Sequence, residues 1–341
     1  VIVPIHSQYR LYPLPLYDCN EAFSMLSKIL KATLVSASII SALSATSALA
    51  QEKNVLMVLW KSWMPADKAF AQKLKDSGAI IHYSEINADQ DRSKLATAIR
   101  GVEGDIVAKK FDLIYSYGTV STQVTKATVK NNTPVVFNIV FDPVGANLVT
   151  AKDAPGANIT GVTNGVPITM QFDTFTKLKP IKDLLVLFNS REPNSNIIER
   201  EVRDWAQKAG VNVISRRVTP DTTALKDVLE EIKSGKIVAD SLYAGADNYL
   251  ASVAKEVQDA VGDKVRLYGG TQTYTLAGWL AAYVPSNEAM GHAAAEQALK
   301  IFKGADPATL PVVLPKPQLF VSEAAAKKHN ITPPTEAALE S

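Results

Sequence analysis

The 341 residues carry 36 Lys and Arg against 34 Asp and Glu, a formal net charge of +2, with 47% hydrophobic residues, four His and one Cys. A balance this near neutral gives no basic surface for nucleic acid or an anionic membrane, and one thiol rules out a disulfide framework. The length suggests about two domains.

Residues 1–24 show no domain signal and are set aside as an upstream extension. From Met25 the layout is secretory. Lys28 and Lys31 form a positive n-region, Ala32 to Gln51 carries no charge, and Ala48-Leu49-Ala50 supplies the small residues of a cleavage site. That run is nearly long enough to span a membrane, but seven Ser or Thr lie between Ala32 and Ala50. Residues 25–50 are therefore read as a signal peptide, cleaved to leave a free periplasmic protein. Cys19 precedes the apolar run and cannot be its lipid anchor. No thiolate metal site or cysteine nucleophile remains after residue 50.

Beyond the leader, strands and helices alternate, the pattern of a parallel sheet covered on both faces. Asn54 to Leu59 predicts a buried strand. Pro65 opens a helix with Phe70 and Leu74 inward, closed by Gly78. Ala79 to Ile86 is the second strand. Leu95, Ile99, Val102 and Ile106 recur at helical spacing, weakened by Gly101 and Gly104. Phe111 to Tyr117 is the third strand, Val120 to Lys130 a helix, and Pro134 to Val140 the fourth strand. The latter stops at Asp142-Pro143, where proline holds Asp142 extended at the carboxyl end of a strand. A further short extended run ends at Thr163.

A second series starts near Pro167. Asp183 to Phe188 is a strand, followed by a helix with an apolar stripe at Ile198, Val202, Trp205, Ala206 and Ala209. Strands are read at Val211 to Arg217 and Ile237 to Tyr243, with a helix at Thr222 to Lys233 between them. Leu250, Val253, Ala254 and Val257 mark another helix. Val265 to Gly269 and Trp279 to Val284 are strands, Glu288 to Phe302 a helix, and Gln318 to Val321 the last strand.

Open sheets of this kind place ligand groups after strands. The first strand is followed by Trp60, Ser62 and Trp63. The third is followed by Thr119 and Ser121, whose hydroxyls and helix N–H groups suit an anion or simply cap the helix. The fourth is followed by Phe141 and Asp142, where a stiffened turn and a ligand contact are compatible readings. Aromatics recur at these ends (Trp60, Trp63, Tyr117, Phe141, Tyr274) and would give a pocket apolar walls.

Asp142-Pro143-Val144-Gly145 followed by Pro155-Gly156-x-Asn158-x-Thr160-Gly161-Val162 resembles the hallmark of a family of ABC-transporter substrate-binding proteins, some of which bind tryptophan, tyrosine or phenylalanine. Glu192-x-Asn194-Ser195 and Asp247-Asn248 resemble further patterns of that family. The likeness runs from about Phe111 to Ile331. It departs at Lys61 to Pro65, on a loop expected to touch ligand, and at Ser322. It implies an α/β protein with a two-lobed type I periplasmic-binding fold. Each lobe would be a parallel sheet flanked by helices, joined by a three-stranded hinge: 51–164 with 286–315, and 165–285 with 316–341.

The second lobe then offers Asn194, Ser195, Asp247, Asn248 and Thr271. Asp247 is the candidate for a ligand ammonium group. One of Asn194, Ser195 or Asn196 is expected to cap the next helix, with Glu199 completing a capping box at Asn196.

The histidines are scattered, and no metal-spaced cluster, phosphate-binding glycine loop or Gly-x-Ser-x-Gly occurs. The reading is a monomeric solute receptor, not an enzyme, without catalytic residues, metal or cofactor. It would capture a small solute, an amino acid with an aromatic body, and pass it to the permease and ATPase subunits of an importer. The alternatives are another nitrogenous metabolite or a secreted α/β hydrolase lacking recognisable motifs.

Overall fold

The computed structural model describes residues 52–130, 133–220 and 222–340. The leader read at 25–50 and the extension before it lie outside these residues, as does Cys19.

Two sheets organise the chain. The first contains β1 (Lys53–Leu59), β2 (Ile81–Asn87), β3 (Leu113–Tyr117), β4 (Val135–Val140) and β5 (Ile159–Thr163). Their order is β2-β1-β3-β4-β5, with every pair parallel. In β1 the side chains alternate between two buried layers. Val55, Met57 and Leu59 join one core and Leu56 and Val58 the other, all essentially without solvent contact. Burying each such side chain contributes about 1.5–3 kcal/mol, and burial on both faces is what a parallel sheet demands.

The second sheet contains β6 (Asp183–Phe188), β7 (Asn212–Arg217), β8 (Ser241–Ala244), β9 (Arg266–Gly269), β10 (Ala281–Val284), β11 (Gln318–Ser322) and β12 (Ala338–Glu340). The order is β12-β11-β10-β9-β8-β6-β7. This sheet is mixed rather than purely parallel, because β11 runs antiparallel to β10 after the chain has returned from the first lobe. Gln318 to Val321 is not the last strand either, since β12 pairs beside it.

Between β10 and β11 the chain forms the Asn287–Phe302 helix, which belongs to the first lobe's core through Met290, Ala294, Ala295, Ala298 and Ile301. Its small residues permit close approach to the Pro65–Asp76 helix. A Cβ on Gly291 would sit 2.4 Å from the Ala66 carbonyl oxygen. The chain thus passes between lobes three times, at 163–168, 284–287 and 313–318. Val313 ties the third crossing to the first: it accepts from Thr163 N–H at 2.8 Å and donates to the Gly161 carbonyl at 3.0 Å.

Several elements differ from their sequence reading. The helix expected through Leu95 to Ile106 breaks at Val102 into Arg92–Gly101 and Glu103–Val107. The Ile168–Leu178 and Gln272–Leu276 helices went unread. Val238 is exposed and β8 starts only at Ser241.

The helix after β6 begins one residue after Glu192, with Pro193 in the first turn. Proline is preorganised there and has no N–H to satisfy. The expected capping box therefore does not form. Asn196 donates to the Ser190 and Glu192 carbonyls, and Glu199 accepts from the Ser215 hydroxyl.

Candidate functional site

The carboxyl ends of both sheets face each other across a cleft. At its centre, Tyr117, Thr119, Ile139 and Phe141 of the first lobe meet Asn194, Ala246, Asp247, Asn248, Ala251, Thr271 and Thr273 of the second. The space between them is about 20 Å³, room for a single water. Two larger spaces lie nearby. One of about 250 Å³ lies beside Trp60, Ser62, Gln90, Tyr117 and Asn248. The other, about 690 Å³, lies among Trp60, Gln90, Arg92, Val120, Arg191, Glu192 and Tyr249.

On the second lobe three polar atoms at this centre are buried without a hydrogen bond: Asn194 Oδ1, Asp247 Oδ2 and Thr271 Oγ1. Buried polar groups are normally paired, so two carbonyl-type oxygens and a hydroxyl on residues lining one space leave hydrogen bonds for a ligand to make. Local bonding explains their aim. Asn194 Nδ2 donates to the Ala246 carbonyl, which turns Oδ1 outward. Asp247 Oδ1 accepts from Leu250 N–H at 2.8 Å as the cap of the next helix, leaving Oδ2 free. Asp247 thus combines a helix cap with an unused oxygen.

Behind these residues stands Glu192, only 3% exposed. One oxygen accepts from Asn248 N–H at 3.1 Å and Asn248 Nδ2 at 3.0 Å. The other accepts from Tyr249 N–H at 3.3 Å and Asn189 Nδ2 at 3.4 Å. Glu192 therefore fastens the loop after β6 to the loop after β8. Burial raises the pKa of Glu192, and the charge of Asp247 raises it further. Burial likewise raises that of Asp247, opposed by the Leu250 N–H and the nearby Ser195 hydroxyl.

The first lobe's face is built differently. Ile139 has φ of 56°, the left-handed region that a β-branched residue rarely enters. The β4–β5 register shifts at this point. Asn138 Oδ1 accepts from Ile139 N–H at 3.0 Å, while Asn138 Nδ2 donates to Tyr115 OH at 3.0 Å. Tyr115 OH in turn donates to Asp67 at 2.6 Å, whose other oxygen accepts from Met64 N–H at 2.8 Å. Burial pushes the Asp67 carboxyl up to about 7 against these two hydrogen bonds. Asp67, Tyr115 and Asn138 thus bond one another, Trp60 Nε1 and Ser121 Oγ are left without a partner, and the residues this lobe turns to the centre are Tyr117, Thr119, Ile139 and Phe141.

Of the sequence candidates, Thr119, Phe141, Asn194, Asp247, Asn248 and Thr271 meet at the centre, and Trp60 and Ser62 line the chambers. Four do not join them. Trp63 lies on the outer side of the first lobe, donating to Glu85 at 2.8 Å and packing edge-on to Tyr83. The Ser121 side chain is buried within its helix, and its carbonyl accepts from Thr125. Ser195 Oγ accepts from Asn189 N–H at 2.9 Å, which fixes the loop after β6.

Asp142 Oδ1 accepts from Gly145 N–H at 2.9 Å, and a Cβ on Gly145 would sit 2.1 Å from its other oxygen. Asp142 is thus the turn residue of its motif. Tyr274, counted among the strand-end aromatics, is core instead, with its hydroxyl on the Gly245 carbonyl and its ring on Trp279.

Ile139, Thr273 and Glu192 were not read as site residues. A β-branched residue in a strand gives no hint of a positive φ. Glu192 could have been suspected as the carboxylate opening the Glu-x-Asn-Ser pattern. Among the described residues no group of His, Cys, Asp and Glu could hold a metal, and no helix is long and apolar enough to cross a membrane.

Comparison with known proteins places the chain in a family. A "Tyrosine-binding protein" of Clostridioides difficile is 27% identical over 264 residues, covering 76% of this chain and 74% of that protein. The structure of an ABC domain in complex with L-Trp from Streptococcus pneumoniae is 26% identical. It superposes with a TM-score of 0.74 over 85% of this chain and 99% of that one. A conserved domain protein of Vibrio cholerae, 23% identical over 85% of this chain and 99% of its own, has the same fold at a TM-score of 0.73. The family of ABC transporter substrate binding proteins matches residues 61–340. The chain belongs to that family.

Proposed function

We propose that this chain is the periplasmic solute receptor of an ABC importer, and that its solute is an amino acid with an aromatic or apolar body. The observation that carries the reading is the set of three unpartnered acceptors, Asn194 Oδ1, Asp247 Oδ2 and Thr271 Oγ1, facing Tyr117, Ile139 and Phe141 across the cleft. An ammonium group supplies the donors those acceptors lack. A charge-assisted bond to Asp247 is stronger than a neutral one. The Tyr117 and Phe141 rings provide the wall for an apolar side chain. The tyrosine-binding relative and the L-Trp complex support the same ligand class.

The mechanism is lobe closure about the three crossings. The central space, about 20 Å³, is smaller than any amino acid, so the lobes part to admit solute and close on it. Closure brings Asn248 against the start of the Gly118–Val129 helix, where a Cβ on Gly118 would lie 3.3 Å from Asn248 Oδ1. The closed form is the one offered to the permease and its ATPase, and the leader read at 25–50 delivers the protein to the periplasm.

The test is thermal unfolding with each of the twenty amino acids. A ligand that binds only the folded form, at 100 times its Kd, adds about 2.7 kcal/mol to stability. L-Tryptophan or L-tyrosine should raise the melting temperature. If no amino acid does, the ligand class is wrong.

A further inference from the structure

The two carboxylates of the second lobe differ in one respect that decides which of them carries charge. Both oxygens of Glu192 are met by donors: two backbone N–H groups and the amides of Asn189 and Asn248. The backbone groups cannot turn round. Asn189 cannot present its oxygen either, because Oδ1 already accepts from Arg191 N–H. A proton on Glu192 would therefore point at donors unless the Asn248 amide turned round. Asp247 has one oxygen bonded to Leu250 N–H and one with no hydrogen-bond partner, so a proton on the latter breaks no hydrogen bond. The charge of Asp247 raises Glu192, and two buried like charges do not both ionise readily.

We propose that Glu192 and Asp247 hold one proton between them, resting on Asp247 Oδ2, and that the cleft exchanges this proton for the ammonium group of its ligand. Glu192 stays anionic and positions the loop. Asp247 is neutral until a cation arrives, so it makes no repulsive contact with Glu192 in the free protein. This rests on the amino-acid reading above and sharpens it: a cationic group is admitted because it replaces a proton.

Other groups face the pair. Tyr117 and Tyr274 lie close by, and burial raises both well above the neutral range. From the larger chamber come Asp89, Asp91, Arg92 and Arg191. Backbone N–H groups hold Asp91 below the usual carboxylate range. Asp67, on the first lobe beneath Tyr117, titrates near 7 and needs its own control.

Carboxyl-carbon NMR of the free full chain, titrated from pH 4 to 9, tests the pair without ligand. In the parent protein Asp247 should titrate well above an ordinary aspartate, with Glu192 ionised throughout. In Glu192→Gln the Asp247 titration should move down by at least one pH unit, because the like charge is gone. In Asp67→Asn it should stay where it was.

An ordinary Asp247 titration in the parent, or a proton found on Glu192 instead, overturns the proposal. Calorimetry with L-tryptophan in buffers of different ionisation enthalpy completes the test. Below the pair's titration, one proton should leave per ligand and affinity should rise about tenfold per pH unit, whereas binding without proton release also overturns it. Failure of L-tryptophan and L-tyrosine to bind would count against the ligand class, while the ligand-free titration still decides the carboxylates.

Discussion

The two walls of the cleft are made from the same structural unit, the loop after a parallel strand, yet they treat polarity in opposite ways. Beneath the first lobe's wall, Asp67, Tyr115 and Asn138 form a closed chain of hydrogen bonds. Asp142 spends its oxygen on the Gly145 turn, so the surface is left to Tyr117, Ile139 and Phe141, with Thr119 as its one polar residue at the centre. On the second lobe, Glu192 gathers the donors of two loops, and acceptors of Asn194, Asp247 and Thr271 remain unmatched. One wall supplies shape and apolar area; the other supplies charge. A ligand with a cationic head and an apolar body fits that division in one orientation only.

The largest effect expected from disturbing this division is at Asp247. Asp247→Asn keeps the shape and removes the charge. A hydrogen bond to a charged group contributes about 1.5–3 kcal/mol, so L-tryptophan should bind roughly 10- to 150-fold more weakly by calorimetry. A second test concerns the buried acid under the opposite wall. Asp67 titrates near 7 in the folded chain and near 4 when unfolded. Between those values the folded form holds a proton that the unfolded chain has released. Stability is therefore fullest below pH 4 and falls as pH rises toward 7, by up to about 1.4 kcal/mol per pH unit. Asp67→Asn should flatten that part of the melting-temperature profile.

Removing apolar area should matter less. Trp60→Ala takes away a ring that lines both chambers. If it stacks on the ligand, about 0.5–1.5 kcal/mol is lost, a weakening of roughly 2- to 13-fold in the same titration. The smallest effect belongs to Asp142→Asn. The amide oxygen can still accept from Gly145 N–H, so binding should change by less than about twofold.

The contrast between the walls also explains what the sequence disclosed. Both β/α series were visible because β1 and β6 are short apolar runs buried on both faces. The motif that carried the family resemblance is structural. Gly161 is required because a Cβ would meet the Phe137 carbonyl oxygen at 2.1 Å, and Gly145 because it closes the Asp142 turn.

Conspicuous residues were thus signs of fold, and the binding candidates had to be inferred from strand ends. Side chains with no nearer partner, such as Asp247 and Thr271, do lie in the cleft. Side chains with a partner within reach point to that partner instead, as Trp63 does to Glu85 and Ser195 to Asn189. Helices of five residues, such as Gln272–Leu276, are too short to show a period. The positive φ of Ile139 coincides with the β4–β5 register shift, and nothing in a β-branched residue announces it.

The central claim is that the second lobe reads the ligand's positive group. Calorimetric titration of the parent protein with L-tryptophan and with 3-indolepropionate, which lacks only the amino group, tests it most directly. The account predicts saturable binding of L-tryptophan and at least about tenfold weaker binding of the deaminated compound. Equal affinity for the two would contradict it.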